Sequence, residues 1–483
     1  MYEESLPSAK NLIHALRDIG YSLETAIADI IDNSISAQAT VVDIYVNFNL
    51  ENSYIAIVDN GSGMNEESLK NAMKLGSFDP LNLRHKSDLG RFGLGLKTAS
   101  FSQSSRLTVA TKQNKNIYAR CWDLDYVTKT EKWAVEVLND NLDQIHELDR
   151  VCENGTLVLW EKLDKLIESN TKRKPEDIFQ EKISILRDHL ALVFHRYLTG
   201  EPGLKKIDIK INNELIPPFN PFEGAGRPFP EEEFNNIKMQ PYILPHHSKT
   251  TTEQYKKMQG RDTYLNSQGF YVYRNSRLLI HGTWFRLAKK TDVTKLARVK
   301  IDLPNSEDFA WSIDVKKSQA VPPDNIKNEL KRTIAKITSQ ATRIYTKRGS
   351  KISNKDNISF WSEFHQHNKK SYKINLEHPI ISNFLNQLTQ ADKNTAKEIF
   401  NNIEENLPID TIYADMAVKP ETIEQQNIEK GKLLQYAENY WNLQKEMGNS
   451  NETIKDKIIH TEPFCNFHEF CEKFIAYKLE GIS

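Results

Sequence analysis

Eight residues, Gly90-Arg91-Phe92-Gly93-Leu94-Gly95-Leu96-Lys97, combine three glycines with a lysine at the apolar start of a predicted helix. Glycine lets a backbone approach a ligand and adopt positive φ, and a helix beginning there turns unpaired N–H groups outward. Such a loop suits an anion, phosphate above all. It follows no strand and contains no GxxxxGK[ST] string, so neither the dinucleotide-binding nor the Walker pattern fits. Upstream, Asp29, Asp32 and Asn33 fall at i, i+3 and i+4 and share one helix face. Two readings stand for them: a helix end with solvated polar residues, or two carboxylates and an amide gathered for a purpose. In Asp59-Asn60-Gly61-Ser62-Gly63-Met64 an apolar strand delivers an acid to a double-glycine turn. A carboxylate there can accept from the amino group of a heterocycle, although Asn-Gly alone also marks a hairpin. Thr156, after Gly155, can bring a hydroxyl to a phosphate or base.

The elements that must position these residues follow from periodicity. Residues 8–20 read as a short helix ended by Gly20, and Ser22 caps a second one carrying Leu23, Ile27, Ile30 and Ile31. Strands are predicted at Val41–Phe48 and Tyr54–Val58, a helix at Glu66–Leu75, and a helix over Thr98–Gln103 after the glycine loop. Further strands fall at Arg106–Thr111 and Ile117–Asp123, and Glu153–Trp160 is a turn feeding a strand.

The chain has 483 residues, 39% hydrophobic and 27% charged, with a formal net charge of -1. That length suits two or three domains, and the balance excludes a global basic field drawing it to nucleic acid. Four cysteines are too few for a disulfide scaffold. No apolar run approaches the ~20 residues that span a bilayer. The first residues lack the basic and apolar regions of a secretory signal, so a cytoplasmic protein is expected, with no membrane partner.

Taken together, the ordered motifs resemble those of the GHKL ATPases: gyrase B, MutL, histidine kinases, the ninety-kilodalton heat-shock chaperones and the MORC proteins. The N box is similar to Asp29-Ile30-Ile31-Asp32-Asn33, the DxGxG box to Asp59-Asn60-Gly61-Ser62-Gly63, the phosphate lid to residues 90–97, and the last box to Gly155-Thr156. The Asp-Asn-Ser and Gly-Arg-Phe-Gly strings look most like bacterial MORC-like ATP-binding proteins. The resemblance implies an α+β chain: a Bergerat-type two-layer α/β sandwich over 1–170, an α/β transducer-like domain over 171–350, and a helical C-terminal domain over 351–483.

It also implies an ATP site with Mg²⁺. Asn33 would be the metal ligand, Asp59 would accept from the adenine amino group, and Gly61 and Gly63 would let the backbone near the base, with Met64 packed on it. Gly93, Gly95, Leu96 and Lys97 would wrap the phosphates, and Thr156 of the last box would be a further nucleotide-binding residue. The family's water-polarising glutamate corresponds here to Asp29, one methylene shorter, which implies slow hydrolysis or a switch that hardly turns over. A transducer lysine is expected at the γ-phosphate; of Lys316 and Lys317 in Asp314-Val315-Lys316-Lys317-Ser318, Lys317 is chosen.

Further along, residues 175–199 read as a long helix, with His189 and His195 as packing or surface residues, and strands follow at Lys206–Ile211, Gly269–Arg274 and Arg298–Leu303. The helix predicted over 325–355 carries Lys327, Lys331, Arg332, Lys336, Arg343, Lys347, Arg348 and Lys351 with little acidic compensation. It is either a solvated face or a DNA-contacting surface. In the C-terminal domain Phe360, Trp361, Phe364, Ile380, Ile381 and Phe384 are the expected core. The Cys465, His468, Cys471 spacing reads as a packed helix rather than zinc. The resulting expectation is an ATP-gated homodimeric clamp acting on DNA in defence, restriction or repair. The alternatives are an ATP-sensing subunit whose nuclease or other effector lies on another chain, and a chaperone-like ATPase.

Overall fold

The computed structural model describes residues 7–49, 52–76, 95–166, 173–225, 228–245, 263–291, 294–307, 310–312, 320–349, 357–366, 369–418 and 428–480. Gly93 and the rest of the loop before Gly95, together with Lys316 and Lys317, lie outside them. The chain divides into two compact units, Met1–His246 with Glu253–Ile337, and His247–Thr252 with Thr338–Ser483.

The first unit is built on an eight-stranded sheet. In chain order its strands are β1 (Val41–Asn47), β2 (Tyr54–Asp59), β3 (Arg106–Gln113), β4 (Asn116–Asp123), β5 (Glu136–Val137), β6 (Gly155–Glu161), β7 (Asp208–Ile211) and β8 (Glu214–Leu215). They lie side by side as β5-β4-β3-β6-β2-β1-β7-β8. All neighbours are antiparallel except β1 and β7. Because side chains alternate along a strand, Ile55, Ile57, Leu107, Val109, Val158 and Trp160 face one layer. Ala56, Val58, Ala110, Leu157 and Leu159 face the other, under Leu138, Ile145 and Val151.

The first face is covered by helices α1 (Ala9–Arg17), α2 (Leu23–Ser36), α3 (Glu66–Met73), α4 (Gly95–Phe101), α5 (Leu124–Thr130) and α6 (Pro175–Val193). α2 is buried almost all round, through Leu23, Ala26, Ile27, Ile30 and Ile31. Two indoles tie the layers: Trp160 donates to Ser100 Oγ at 2.8 Å, and Trp122 to the Met73 carbonyl at 3.0 Å. The predicted strands up to residue 161 and helix α2 are present, with ends shifted by a few residues. α6 and β7 join this first core, so the sheet runs past the boundary expected at residue 170. The long helix expected over 175–199 breaks at Phe194 into α6 and α7 (His195–Thr199).

A five-stranded sheet completes the unit: β9 (Glu232–Phe234), β10 (Ile237–Ile243), β11 (Gly269–Arg274), β12 (Arg277–Thr283) and β13 (Ala297–Leu303), ordered β12-β11-β13-β10-β9. Phe270, Val272, Val299, Ile301 and Trp311 form its core with Ile326, Leu330 and Ile334 from the helix Asp324–Gly349. α6 packs against β12.

The second unit is helical around Leu433, Tyr440, Trp441, Ile454, Phe464 and Cys471, but it also holds a two-stranded hairpin, Trp361–Gln366 with Lys369–Ile374. The expected core is corrected there: Phe364 and Phe384 are exposed, because Phe364 lies on an open hairpin face. Cys465 and Cys471 are buried, and the Cys471 thiol donates to the Phe464 carbonyl. Among the described residues no helix is long and apolar enough to cross a membrane.

Candidate functional site

β2 ends in Asp59, which by alternation points to the same face as Ile55 and Ile57, towards the helices. Its carboxylate is buried. Oδ2 accepts from Ser34 Oγ of α2 at 2.8 Å, and Oδ1 accepts from the Gly61 N–H at 2.9 Å and the Thr156 N–H at 3.2 Å. Burial pushes its pKa up, while the hydrogen bonds from Gly61, Ser34 and Thr156 pull it down. A carboxylate offers about four acceptor positions, so three donors leave room for a further N–H.

The turn that follows, and the start of β6 beside it, are shaped by three glycines. At Gly63, φ is +64° and a Cβ would stand 2.1 Å from the Lys112 carbonyl oxygen; at Gly155, φ is +152° and a Cβ would stand 2.1 Å from the Asp59 carbonyl oxygen. Gly61 is tight as well, with Ala37 Cβ 2.9 Å from an added methyl. Asn60 Oδ1 accepts from the Thr40 and Val41 N–H groups, which anchors the turn to the start of β1. The Met64 N–H donates to Thr111 Oγ1, which donates to the Gly155 carbonyl and lies 3.3 Å from Thr156 Oγ1. Met64 is half-buried against the helix-side core.

α2 supplies the acids. Asp29 and Asp32 are buried at 4% and 0% exposure, while Asn33 is exposed. The reading of a solvated helix end is thereby corrected for the two carboxylates: α2 lies between other elements, so a polar residue on its inner side needs a partner. The Tyr21 hydroxyl donates to Asp29 Oδ2 at 3.0 Å. Asp32 is met by Arg277 of β12, whose Nε stands 3.0 Å from both Oδ1 and Oδ2, and Arg277 Nη2 is 3.9 Å from Asp29 Oδ1.

α4 closes the same region. A Cβ on Gly95 would lie 3.6 Å from Asp29 Oδ2, which sets the α4 backbone beside that acid. Leu96 is half-buried against the core. Lys97 is only 2% exposed and donates to the Ala72 carbonyl of α3 at 2.8 Å; burial lowers its pKa to about 8.

Asp59, Gly61, Met64 and Thr156 are thus tied together at the end of β2, with Gly63 in the same turn, and Gly95 comes beside Asp29 in the middle of α2, whereas Lys97 turns to α3 and Asn33 faces solvent. Four partners were not singled out from the sequence: Ser34, Tyr21, Thr111 and Arg277. Ser34 directly follows Asp32 and Asn33 on α2, which is a local signal; Arg277 gives none, since its partner is 245 residues away.

The basic helix is less cationic than its sequence suggests. In its described part Lys327 pairs with Asp324, Arg332 with Glu329, and Lys336 with Glu232. The side chains of Arg343, Lys347 and Arg348, and all of Lys351, lie outside the described residues. His195 is buried, with a ring nitrogen 2.8 Å from the Tyr273 hydroxyl, as a packing residue would be.

Residues 21–156 match the family model of histidine kinase-, DNA gyrase B- and HSP90-like ATPases. No curated protein matches the chain. The matched stretch begins at Tyr21, the partner of Asp29, and ends at Thr156, the partner of Asp59. It supports a GHKL-type ATPase domain there, and with it ATP as ligand.

Proposed function

We propose that the chain binds Mg-ATP between α2, the end of β2 and α4, and hydrolyses it slowly. The observation that carries this reading is Asp59: a buried carboxylate with three donors and one acceptor position left, inside a stretch that matches an ATPase family. The residues fit the ligand. Asp59 would accept from the adenine amino group beside the bare backbone of Gly61 and Gly63, and Met64 would pack on the base. Thr156, whose N–H holds Asp59, would lie beside the base, while the α4 residues Gly95, Leu96 and Lys97 would lie towards the phosphates, with Gly93. Asn33 offers a solvent-facing amide oxygen for Mg²⁺, which when bound would neutralise phosphate charge.

Asp29 is the base of the proposed reaction. It takes a proton from the attacking water, whose oxygen bonds the γ-phosphorus as the bond to the bridging oxygen breaks, giving ADP and phosphate. Tyr21 fixes one carboxylate oxygen for this role. Lys317 is proposed as a cation completing the site.

At the level of the whole chain, ATP is proposed to gate a homodimeric clamp, since contacts made only by the γ-phosphate in one state shift the population towards it. The GHKL resemblance makes DNA the proposed substrate, in defence, restriction or repair, inside the cell. The paired charges on the described part of the basic helix favour a second reading, in which the chain is an ATP sensor for an effector on another chain.

The test is the solution mass with Mg²⁺, with and without a non-hydrolysable ATP analogue, for wild type and Asn33→Ala. A nucleotide-dependent dimer lost in the variant supports the clamp. A monomer that binds nucleotide supports the sensor, and absence of binding overturns both.

A further inference from the structure

Arg277 is placed by a tight local device. Asn275 and Ser276 both have left-handed φ, 46° and 66°, and Arg274 pairs with Arg277, which defines a two-residue hairpin turn between β11 and β12. The Tyr197 hydroxyl of α7 donates to the Asn275 carbonyl at 2.6 Å, pinning the turn against the helix layer. The first residue after the turn is Arg277, and its side chain is 5% exposed.

Every part of the guanidinium has a partner. Nη1 donates to the Leu278 carbonyl at 3.2 Å, the group lies over the Phe194 ring at 5.8 Å, and Nε donates to Asp32 Oδ1 at 3.0 Å with Oδ2 paired at the same distance. Nη2 then stands 3.9 Å from Asp29 on the neighbouring turn of α2. One guanidinium from the second sheet thus faces both buried acids, while Tyr21 holds Asp29 from the other side.

The surrounding titratable groups are His189 on α6, His281 on β12, Tyr197, Arg196 and Arg274. Burial, with Arg277 and His281, lowers the His189 pKa to about 3, so that imidazole is uncharged near neutral pH. A buried carboxylate without a compensating charge is costly, so Asp32 fixes where Arg277 sits and Arg277 fixes where Asp32 sits. Because Asp29 and Asp32 are three residues apart on one rigid helix, this pair also sets the orientation of Asp29.

We infer that Arg277 is a positioning residue for hydrolysis: docked on Asp32, it lets the second sheet align the Asp29 carboxylate without itself binding nucleotide. The inference rests on the proposed ATPase reading of the same site. It assigns to the β11–β12 hairpin the job of making turnover depend on how the second sheet is seated on α2.

The test compares wild type, Arg277→Gln, Arg277→Lys, Asp32→Asn and Asp29→Asn in the full chain. Three readouts are needed: single-turnover phosphate release, binding of a non-hydrolysable ATP analogue, and amide hydrogen exchange of residues 29–34. Small misplacement of a reacting group costs about a hundredfold, so Arg277→Gln is expected to lower release on that scale, with affinity kept within about twofold. Exchange of the α2 amides rises, and Arg277→Lys recovers part of both losses. Asp32→Asn keeps the shape of the side chain and gives the same pattern should Arg277→Gln misfold. A loss of affinity that matches the loss of turnover would make Arg277 a direct ligand and overturn the inference. So would unchanged turnover and unchanged α2 exchange. If wild type releases no phosphate that depends on Asp29, yet α2 exchange follows Arg277, the ATPase reading falls and the positioning of α2 by Arg277 stands.

Discussion

Ser34 Oγ donates to Asp59 Oδ2 across 2.8 Å, linking α2 of the helix layer to the last residue of β2. The bond fixes one carboxylate oxygen while Gly61 and Thr156 fix the other, so the orientation of Asp59 is set by three separate segments. Replacing Ser34 by Ala removes the only one of these donors that is a side chain. An unsatisfied buried acceptor costs about 1–3 kcal/mol, so Ser34→Ala is expected to lower stability on that scale. ATP-analogue affinity should fall by about tenfold if the carboxylate turns even partly away, roughly 1.4 kcal/mol. Thermal unfolding and nucleotide titration check the two parts separately.

Asp59 also gives the site a pH dependence. Burial holds its carboxyl above the ordinary 3.8, and an adenine amino group needs the ionised form as acceptor. Nucleotide affinity is expected to fall as pH drops through a window lying above 3.8. The sign for stability is the reverse: a raised acid pKa favours the folded state below the unfolded value, and that contribution is lost as pH rises through the folded value. Unfolding measured against pH for wild type and Asp59→Asn should therefore diverge in this window, with wild type losing relative stability as the pH increases.

Lys97 makes a contrasting prediction. Its ammonium is buried on the Ala72 carbonyl with a pKa of about 8, against an ordinary 10.5. Between those values the unfolded chain binds the extra proton, so stability rises with pH across the window. A phosphate brought to this lysine would restore its proton. Calorimetric titration with an ATP analogue at pH 9, in buffers of different ionisation enthalpy, should show proton uptake that Lys97→Met abolishes. Uptake equal in the two proteins would leave Lys97 on Ala72 and remove it from the phosphate site.

The parts of the site legible in the sequence are those written locally. Asp59, Gly61 and Gly63 announce themselves because an acid at a strand end and glycines at fixed offsets restrict one short turn. The i, i+3, i+4 spacing of Asp29, Asp32 and Asn33 likewise follows from helix geometry, but not which of them is buried. That depends on Tyr21, Arg277 and the second sheet, and periodicity carries no information about a partner 245 residues away. The same limit explains the second unit, where Trp361 and Phe364 looked like core for a helical domain. The strand pairing of Trp361–Gln366 with Lys369–Ile374 leaves Phe364 exposed. Glycine beside lysine suggested a phosphate contact at Lys97, and nothing in that local pattern shows that its ammonium also donates to the Ala72 carbonyl.

Gly155 offers the sharpest test of how the site floor is built. Its φ of +152° is strained for any side chain, and an added Cβ would lie 2.1 Å from the Asp59 carbonyl oxygen and 3.4 Å from Asn60 Cα. These are backbone atoms, and they cannot step aside easily. Gly155 faces Lys112 in the β3–β6 ladder, while the adjacent Thr156 faces both Asp59 and Thr111. Relief requires opening the ladder at the residues that hold the Asp59 carboxylate. Gly155→Ala is therefore expected to destabilise by about 3 kcal/mol or more, the range of backbone strain combined with overpacking. ATP-analogue binding should be lost even where the protein stays folded. Gly431, near the start of the helix Lys430–Glu446, is the control, since nothing stands within 4 Å of its added Cβ. Gly431→Ala should stabilise by about 0.5–1 kcal/mol through helix propensity and leave binding unchanged. If Gly155→Ala binds nucleotide like Gly431→Ala, then the β2–β6 ladder end is not the floor of the site, and the placement of the base against Asp59 is wrong.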